Sequence, residues 1–577
     1  MTARRHSGPV PAPQEILQEP RPADPDATRV VFLGGAGEIG RNMTVIEHGG
    51  RMLVIDVGLM FPTEEMLGVD LVLPDFEYLR DPDKELVGIV LTHGHEDHVG
   101  GLPYFLKEFG GLRVPIVSAR LTLGLLAPKL EEHGLLAEAR LKEVKLPGKL
   151  TLGPFKLQFF RVTHSIPDGM ATVIETPAGR LFHTGDFKLD PTPIDGNPTD
   201  LQGIGAAAAV GIDLMLSDST NAEVPGQVPS ERTVGEAISK VVKEASGRVI
   251  VACFASNIHR VQQIVTAAEA SGRLVAFFGR SMHTNVRVTR ELGYLKIPDD
   301  MVIPIEDIDS YPPNQICVIS TGSQGEPLAA LSLMAAREHK WIKLTASDTV
   351  VISATVIPGN ESAVRRVVDG LFRIGCEVVR PPVHVHVSGH GAAEELKFML
   401  DLVKPDWFVP VHGEYRHMAT HARLGHEVGI PPSRTVLVED GDIIELKDGK
   451  LEKVDRIHAG FVYVDGLGIG DVGQVVLRDR RLLSQDGVIV CVVTVDSQTG
   501  ELLAGPDLTS RGFVYEDQAS EFLEQAREAV RASLAELAED EISDWGAMRR
   551  HVRKSLGKFL WNRTGRKPII LPVVVEM

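Results

Sequence analysis

His93, His95, Asp97 and His98 fall within six consecutive positions, directly after the apolar run ELVGIVLT. Such residues make neither a good turn nor a good core. They share one aptitude: imidazole nitrogen and carboxylate oxygen are ligands for Zn²⁺, and for Mn²⁺ as the carboxylate share rises. Successive residues of an extended segment point to opposite sides, so His93 and His95 face the same way and can grip one ion. Asp97 and His98 follow in the turn, where the chain curls back and can reach a second. Two ions need more ligands, and three other stretches offer them. RVTHSIPD brings His164, LFHTGDF brings Asp186 and FVPVHGEY brings His412. Each follows an apolar run and precedes a turn, the place where a rigid scaffold carries chemistry on loops. Taken singly, His164, like His183, reads as an ordinary hydrogen-bonded histidine. Taken with HGHEDH, these residues complete two sites bridged by one carboxylate.

Holding these side chains takes several strands. RVVFLGG, NMTVIEHGG and RMLVIDVG read as consecutive strands closed by glycine turns, and ELVGIVLTH as the strand that delivers HGHEDH. GGLPYFLKEFG and RLTLGLLAPKLEEHG read as helices, KLTLGPFKLQFFRVTHS and GMATVIETPAGRLFHTGD as hairpins, and IDLMLSDSTN as a strand. This pattern predicts half of an αββα sandwich. From Pro229 strands and helices alternate: TVGEAISKVVKEASG, RVIVACFAS, NIHRVQQIVTAAEASG, RLVAFFG and onward to EVVRPPVHVHVSG. That alternation predicts a doubly wound α/β insert on a parallel sheet. WFVPVHGEY, RTVLVED, DIIELKDG and GFVYVDG then return to the β-rich pattern. The chain ends in a hairpin, two helices and a strand. In the first of those helices Phe522, Ala526, Val530 and Leu534 recur every four residues, which makes one face apolar. The α/β chain thus divides into a disordered tail (1–28), a sandwich in two parts (29–228 and 386–470), the insert (229–385), a linker (471–492) and a small α+β domain (493–577).

Bulk properties narrow the class. At 577 residues the chain is too long for one core. No apolar run reaches the roughly 20 residues that span a bilayer. The first residues carry two arginines but no apolar stretch, so they do not read as a secretory signal. Cys253, Cys317, Cys376 and Cys491 are scattered and read as buried free thiols of a reducing cytoplasm. A net charge of −18 argues against nucleic-acid binding by bulk charge, but a local basic channel is compatible with it. Three further signals stand out. GSQGE, with Ser323 and Gln324, and HVSGH, from His386 to His390, are Gly/Ser turns that present backbone N–H groups to phosphate. GGAGEIG has the Gly35-x-Gly37-x-x-Gly40 spacing of a dinucleotide fingerprint, but a strand follows it where the fingerprint demands a helix. The basic run MRRHVRKSLGKFLWNRTGRK reads as a subunit interface or a partner for the acidic AELAEDE stretch, ahead of RNA.

HGHEDH, His164 and Asp186, with Asp56 closing the strand of RMLVIDVG, resemble the metallo-β-lactamase superfamily. The α/β insert before a late histidine resembles the β-CASP branch of nucleases. SDSTNAE with Asp218, HVHVSGHG with His390 and PVHGEYRH with His412 resemble its three insert motifs. Together with FASNIHRVQQ, GRSM, STGSQGEP and the C-terminal region, they resemble the bacterial ribonuclease J family from Arg29 onward.

This resemblance implies one metal on His93, His95 and His164 and another on Asp97, His98 and His412, with Asp186 bridging them and Asp56 orienting the ligands from behind. The two ions, Zn²⁺ ahead of Mn²⁺, would share a hydroxide that attacks the phosphodiester. Asp218 and His390 would transfer a proton to the leaving 3′ oxygen, either one being the donor. His386, Val387, Ser388, Gly389 and His390 would hold RNA phosphates, including a 5′-monophosphate, aided by Ser323, Gln324, Ser256, Asn257 and Arg260. A structural cation would sit on the Leu67 and Val69 carbonyls and Asp465. The implied protein is a cytoplasmic ribonuclease with 5′→3′ exonuclease and endonuclease modes in RNA maturation and decay. It would act on single-stranded, preferably 5′-monophosphorylated RNA, as a homodimer or homotetramer alongside other RNA-decay proteins, without a membrane. The alternatives are a DNA nuclease of the same branch, against which His412 speaks because that group typically has valine there, and a catalytically silent RNA-binding subunit, which would have lost ligands.

Overall fold

A computed structural model describes residues 23–577 other than 64, 327–328, 358–359, 467, 497–500, 514–518 and 536–544. The expected tail up to residue 22, and nearly all of AELAEDE, lie outside the described residues. The chain forms two compact units. One runs to Phe61 and resumes from Val72 to Val462; the other comprises Pro62–Leu71 and Tyr463–Met577.

The first unit contains the sandwich. Its eight-stranded sheet runs, in spatial order, Lys450–Arg456, Asp442–Lys447, Thr28–Gly34, Met43–His48, Arg51–Ile55, Glu85–Val90, Pro115–Ser118 and Arg140–Glu143. The six-stranded sheet runs Trp407–Val411, Leu214–Asp218, Gly179–His183, Met170–Thr176, Phe155–Arg161 and Gly148–Leu152. Phe32, Ile46, Leu53 and Val90 of the first meet Phe155, Phe159, Leu181, Leu214 and Val411 of the second in one buried core. On the outer face of the six-stranded sheet, Phe160, Val173, Phe182 and Met215 pack against the helices Leu201–Ala208 and Ala393–Val403. Period two explains the division: Phe155, Leu157 and Phe159 face the inner core and Phe160 the outer one. Gly179–His183, Leu214–Asp218 and Trp407–Val411 are mutually parallel, so their C-terminal ends open on one edge.

The insert follows its sequence pattern. Five parallel strands lie in the order Leu274–Phe278, Ile316–Ser320, Val249–Ala252, Thr349–Ile352 and Glu377–Val379. Val249, Val251, Cys317 and Ile319 face one layer of helices, and Ile250, Ala252, Val318 and Val350 face the other. Both faces are buried, which is why these strands read as continuous apolar runs.

In the second unit Leu502–Arg511, Val488–Val495 and Ile569–Glu576 form a three-stranded sheet under the helices Ala519–Leu534 and Trp545–Thr564. Ala526 and Val530 meet Met548, Val552, Leu556 and Leu560 and the sheet residues Ile489, Cys491 and Val493. The basic run therefore lies on a helix whose apolar stripe is core. The four cysteines are free and buried.

Three expectations need correction. The segment 471–492 holds the helix Gln474–Asp486 and the start of the strand Val488–Val495, so it is not an open linker. RTVLVED is irregular rather than a strand, pairing with the six-stranded sheet at the Phe408–Thr435 bridge while Val438 packs in the sandwich core. Beyond Glu377–Val379 the stretch RPPVHVHVSG leaves the ladder, because Pro381 and Pro382 lack the N–H that pairing needs.

Arg260 is a fourth correction. It was expected against RNA, yet it is fully buried. Its guanidinium meets Glu231 Oε1 at 2.6 Å and 3.0 Å, the Val385 carbonyl at 2.8 Å, and the Ser353 hydroxyl. Asn257, also expected against RNA, caps the same helix by accepting the Arg260 N–H at 3.0 Å. Removing one partner of a buried ion pair strands the other. Arg260→Ala should therefore destabilise the fold by about 3–5 kcal/mol, read as a lower thermal unfolding midpoint, whereas a surface Arg287→Ala should leave it within about 0.5 kcal/mol.

Candidate metal centre

Seven side chains converge from four separate segments. His93, His95 and His164 form one group, and Asp97, His98, Asp186 and His412 another. In the first, His95 Nδ1 lies 2.9 Å from His93 Nε2 and 3.1 Å from His164 Nε2. In the second, His98 Nε2 and His412 Nε2 are 3.1 Å apart, each 3.5 Å from Asp97 Oδ2. Asp186 Oδ2 stands between the groups, 3.2 Å from His98, 3.3 Å from His412, 3.7 Å from His93 and 3.9 Å from His164. Nitrogens about 2.1 Å from a tetrahedral zinc lie roughly 3.4 Å apart, close to these spacings.

The outward ring nitrogens are engaged, and this fixes which nitrogen points inward. His98 Nδ1 donates to Asp56 Oδ2 at 2.7 Å, and Asp56 in turn accepts the Thr92 N–H at 2.7 Å and the Thr92 hydroxyl at 2.8 Å. His164 Nδ1 donates to the Gly389 carbonyl at 2.7 Å. His412 Nδ1 is 2.8 Å from the Thr220 hydroxyl, which donates to the His412 carbonyl at 3.0 Å. Held imidazoles of this kind are what a metal site requires. Asp56 thus stands directly behind the His98 ring. Thr92, Thr220 and the Gly389 carbonyl were missed. Thr220 stands only two residues after Asp218, but nothing in its type marks it.

Electrostatics fit the same chemistry. Burial works against charge on every group. For Asp97 and Asp186 it is outweighed by His98 and His412, so both carboxyls are held well below their ordinary range. For His98 and His412 it is outweighed chiefly by Asp186, with Asp97 helping, so both imidazoles are held well above theirs. Burial drives His93 and His164 well below, and His95 down to about 4. Ionised carboxylates beside neutral imidazoles are ready donors, and the protons on His98 and His412 are those a divalent cation displaces.

Beside this cluster, Asp218 Oδ2 accepts from His390 Nδ1 at 2.8 Å, and His390 Nδ1 is 3.9 Å from Asp186. The turn His386–His390 abuts the cluster directly. A Cβ on Gly389 would stand 2.7 Å from the His164 ring, so only glycine lets the turn approach. Ser388 Oγ accepts the His390 N–H at 3.1 Å, Val387 is buried and His386 is held down to about 3, first by burial and then by Arg260. Ser256 is partly exposed at the C-terminal end of Val249–Ala252. Ser323 and Gln324 are buried, and the Gln324 amide is spent on the Thr355 carbonyl at 2.9 Å and the Ile357 N–H at 2.8 Å. Its side chain is therefore committed to the loop rather than offered to a ligand. At the expected structural cation, the Arg480 guanidinium donates to the Leu67 carbonyl at 2.9 Å and pairs with Asp465. The positive charge there belongs to the chain itself; Val69 is buried nearby in sequence.

Known proteins match most of the chain. Residues 36–222 match the metallo-beta-lactamase superfamily, 246–371 the ribonuclease J beta-CASP domain, 379–433 the Zn-dependent metallo-hydrolase RNA specificity domain and 475–577 the ribonuclease J C-terminal domain. The chain is similar to ribonuclease J2 of Bacillus subtilis, 42% identical over 95% of this chain and 98% of that one. It is 44% identical to ribonuclease J of Mycolicibacterium smegmatis over 97% and 99% of the two chains, and 43% identical to that of Thermus thermophilus over 96% of each. A crystal structure of a protein of unknown function from Enterococcus faecalis shares the fold, with a TM-score of 0.52 at 17% identity over 73% of this chain and 100% of that one. The sandwich is thus the metallo-β-lactamase fold and the insert a β-CASP domain.

Chelation followed by return of Zn²⁺ or Mn²⁺ at about a hundredfold its dissociation constant should stabilise the protein by about 2.7 kcal/mol per ion, seen as a higher unfolding midpoint. Calorimetric titration should give two equivalents for the wild type and one for His164→Ala.

Proposed function

The chain belongs to the ribonuclease J family, and from that we propose that it is a metal-dependent ribonuclease cutting RNA by 5′→3′ exonuclease and endonuclease modes. The observation that carries the reading is the sharing of Asp186 Oδ2 by two ligand groups, with the Asp218–His390 pair at their edge. Two divalent ions, Zn²⁺ ahead of Mn²⁺, supply Lewis acidity that lowers the pKa of water and offsets charge on the phosphoryl oxygens. His93, His95 and His164 would hold one, Asp97, His98 and His412 the other, with Asp186 available to both.

The chain's own groups do the rest. Asp218 has both oxygens in use, Oδ1 on the Thr220 N–H at 2.9 Å and Oδ2 on His390. It orients His390, whose Nε2 donates the proton to the leaving 3′ oxygen. The turn His386–His390 holds the phosphate that sets register. Because Gly389 binds His164 through its carbonyl, the distance from that phosphate to the cleavage point is built into the backbone. Single-stranded RNA with a 5′-monophosphate is the substrate, in the cytoplasm, and the working form is a dimer or tetramer. Among the described residues no helix is long and apolar enough to cross a membrane.

His95→Ala should abolish RNA turnover while leaving circular dichroism unchanged. His390→Ala should lower kcat by about 10²–10⁴-fold with little change in bound metal. One RNA offered with a 5′-triphosphate, a 5′-monophosphate or a 5′-hydroxyl should be shortened processively from the end only in the monophosphate form. Equal rates and products from all three would refute the phosphate-turn assignment.

A further inference from the structure

GGAGEIG, set aside as a nucleotide fingerprint, needs another reason for its glycines. The strand Thr28–Gly34 ends in it, and residues 35–42 then run along the back of the second ligand group. The Gly35 carbonyl accepts the His412 N–H at 2.7 Å, and Ala36–Gly37 pair in parallel with Gly413–Glu414, the two residues after that ligand. His412 itself sits at φ 51°, a left-handed conformation that a side chain adopts only when its neighbours impose it. At the other end of the loop the Asn42 N–H and side-chain amide both donate to the Asp97 carbonyl, at 2.9 Å and 3.1 Å. A Cβ on Gly34 would stand 2.0 Å from the Arg41 carbonyl oxygen, and one on Gly35 2.2 Å from Asn42 Oδ1. The glycines let the loop fold back on itself so that one short segment reaches both ligands.

The loop is anchored by a buried ion pair. Arg41 is 1% exposed. Its guanidinium meets Glu38 at 2.6 Å, Asp440 Oδ2 at 2.9 Å and the Gly460 carbonyl at 3.0 Å, and lies 4.4 Å over the Phe461 ring. Asp440 Oδ1 accepts the Ala36 N–H at 2.9 Å, and the Asp440 N–H donates to the Ala36 carbonyl at 2.9 Å. Such an ion pair is a weak stabiliser, because desolvation offsets its attraction; its value is directional. The first group is fixed elsewhere, His164 by the Gly389 carbonyl.

We propose that Arg41 and Asp440 are positioning residues for one of the two metal sites: through Ala36 and Gly35 they set His412, and through Asn42 they set Asp97, without touching the site of His93, His95 and His164. The proposal rests on the two-ion reading above.

The test uses the full-length metal-free protein titrated with Zn²⁺ against a competing chelator, and with Co²⁺ followed by its visible spectrum. Wild type, Asp440→Asn and Arg41→Lys are compared, the last keeping the charge but losing the fork that reaches three acceptors. Both variants should keep one equivalent at wild-type affinity and weaken the other by about 10–100-fold. The metal-free unfolding midpoint of Arg41→Lys, which keeps both charges, should stay near that of the wild type; in both variants kcat on RNA should fall with KM unchanged, and excess metal should restore kcat. Equal weakening of both equivalents, or of neither, in the variant that folds overturns the proposal. A wild type that takes up fewer than two equivalents would instead sink the two-ion reading, and the proposal with it.

Discussion

One carboxylate oxygen organises this molecule. Asp186 Oδ2 has imidazole nitrogens of His93, His98, His164, His390 and His412 within 3.9 Å, and the residue is only 4% exposed. An ionised carboxylate so far from water is tolerated only with compensating charge and hydrogen bonds. Every ligand must therefore be held by something other than its fellows, since imidazoles crowded to about 3 Å gain little from one another. That is why the outer atoms are tied to Asp56, Gly389 and Thr220. It is also why the ligands come from strand ends, where the backbone is already fixed by two sheets.

The strain falls where that demand is greatest. Asp56 and His412 both take left-handed backbone, at φ 62° and 51°. Each ends a strand of a different sheet and must turn its side chain back toward the gap between them. Ordinary extended backbone would aim these groups along the strand. The neighbouring contacts hold the turn: the Asp56 N–H donates to the Val90 carbonyl at 2.8 Å, and the His412 N–H to that of Gly35. Function here is bought with backbone strain that the surrounding ladders absorb.

Much of this was legible because ligands and strands leave local marks. HGHEDH, RVTHS, FHTGD and PVHGE are polar bursts after apolar runs, and all four bursts meet. The insert was legible because a parallel sheet buried on both faces leaves continuous apolar strands between amphipathic helices. What escaped was contact at long range. Arg260 carries the type and helix position of a surface cation, and only the fold reveals Glu231 beside it. Asp440 lies about 400 positions from Arg41, and no local pattern links them. Arg480 filled a place where an ion was expected for a related reason: a helix read as linker brought a cation of its own.

GGAGEIG shows how a sequence signal can be right about physics and wrong about the partner. Glycines at that spacing mean that the backbone turns through φ above zero and that something approaches too closely for a Cβ. The first is true of Gly35 at 85°, Gly37 at 97° and Gly40 at 117°, and the second of Gly35 and Gly40. In a nucleotide-binding turn the close neighbour is a pyrophosphate and the next element a helix whose N-terminus faces it. Here the next element is the strand Met43–His48, which points no dipole at the loop, and the close neighbours are the loop's own Asn42, at Gly35, and Met60, at Gly40. The element after the glycines decides between the two uses. With a strand there, the exposed N–H and carbonyl groups of the turn are free to pair with protein backbone, and the backbone they pair with belongs to the ligand-bearing segments of Asp97 and His412.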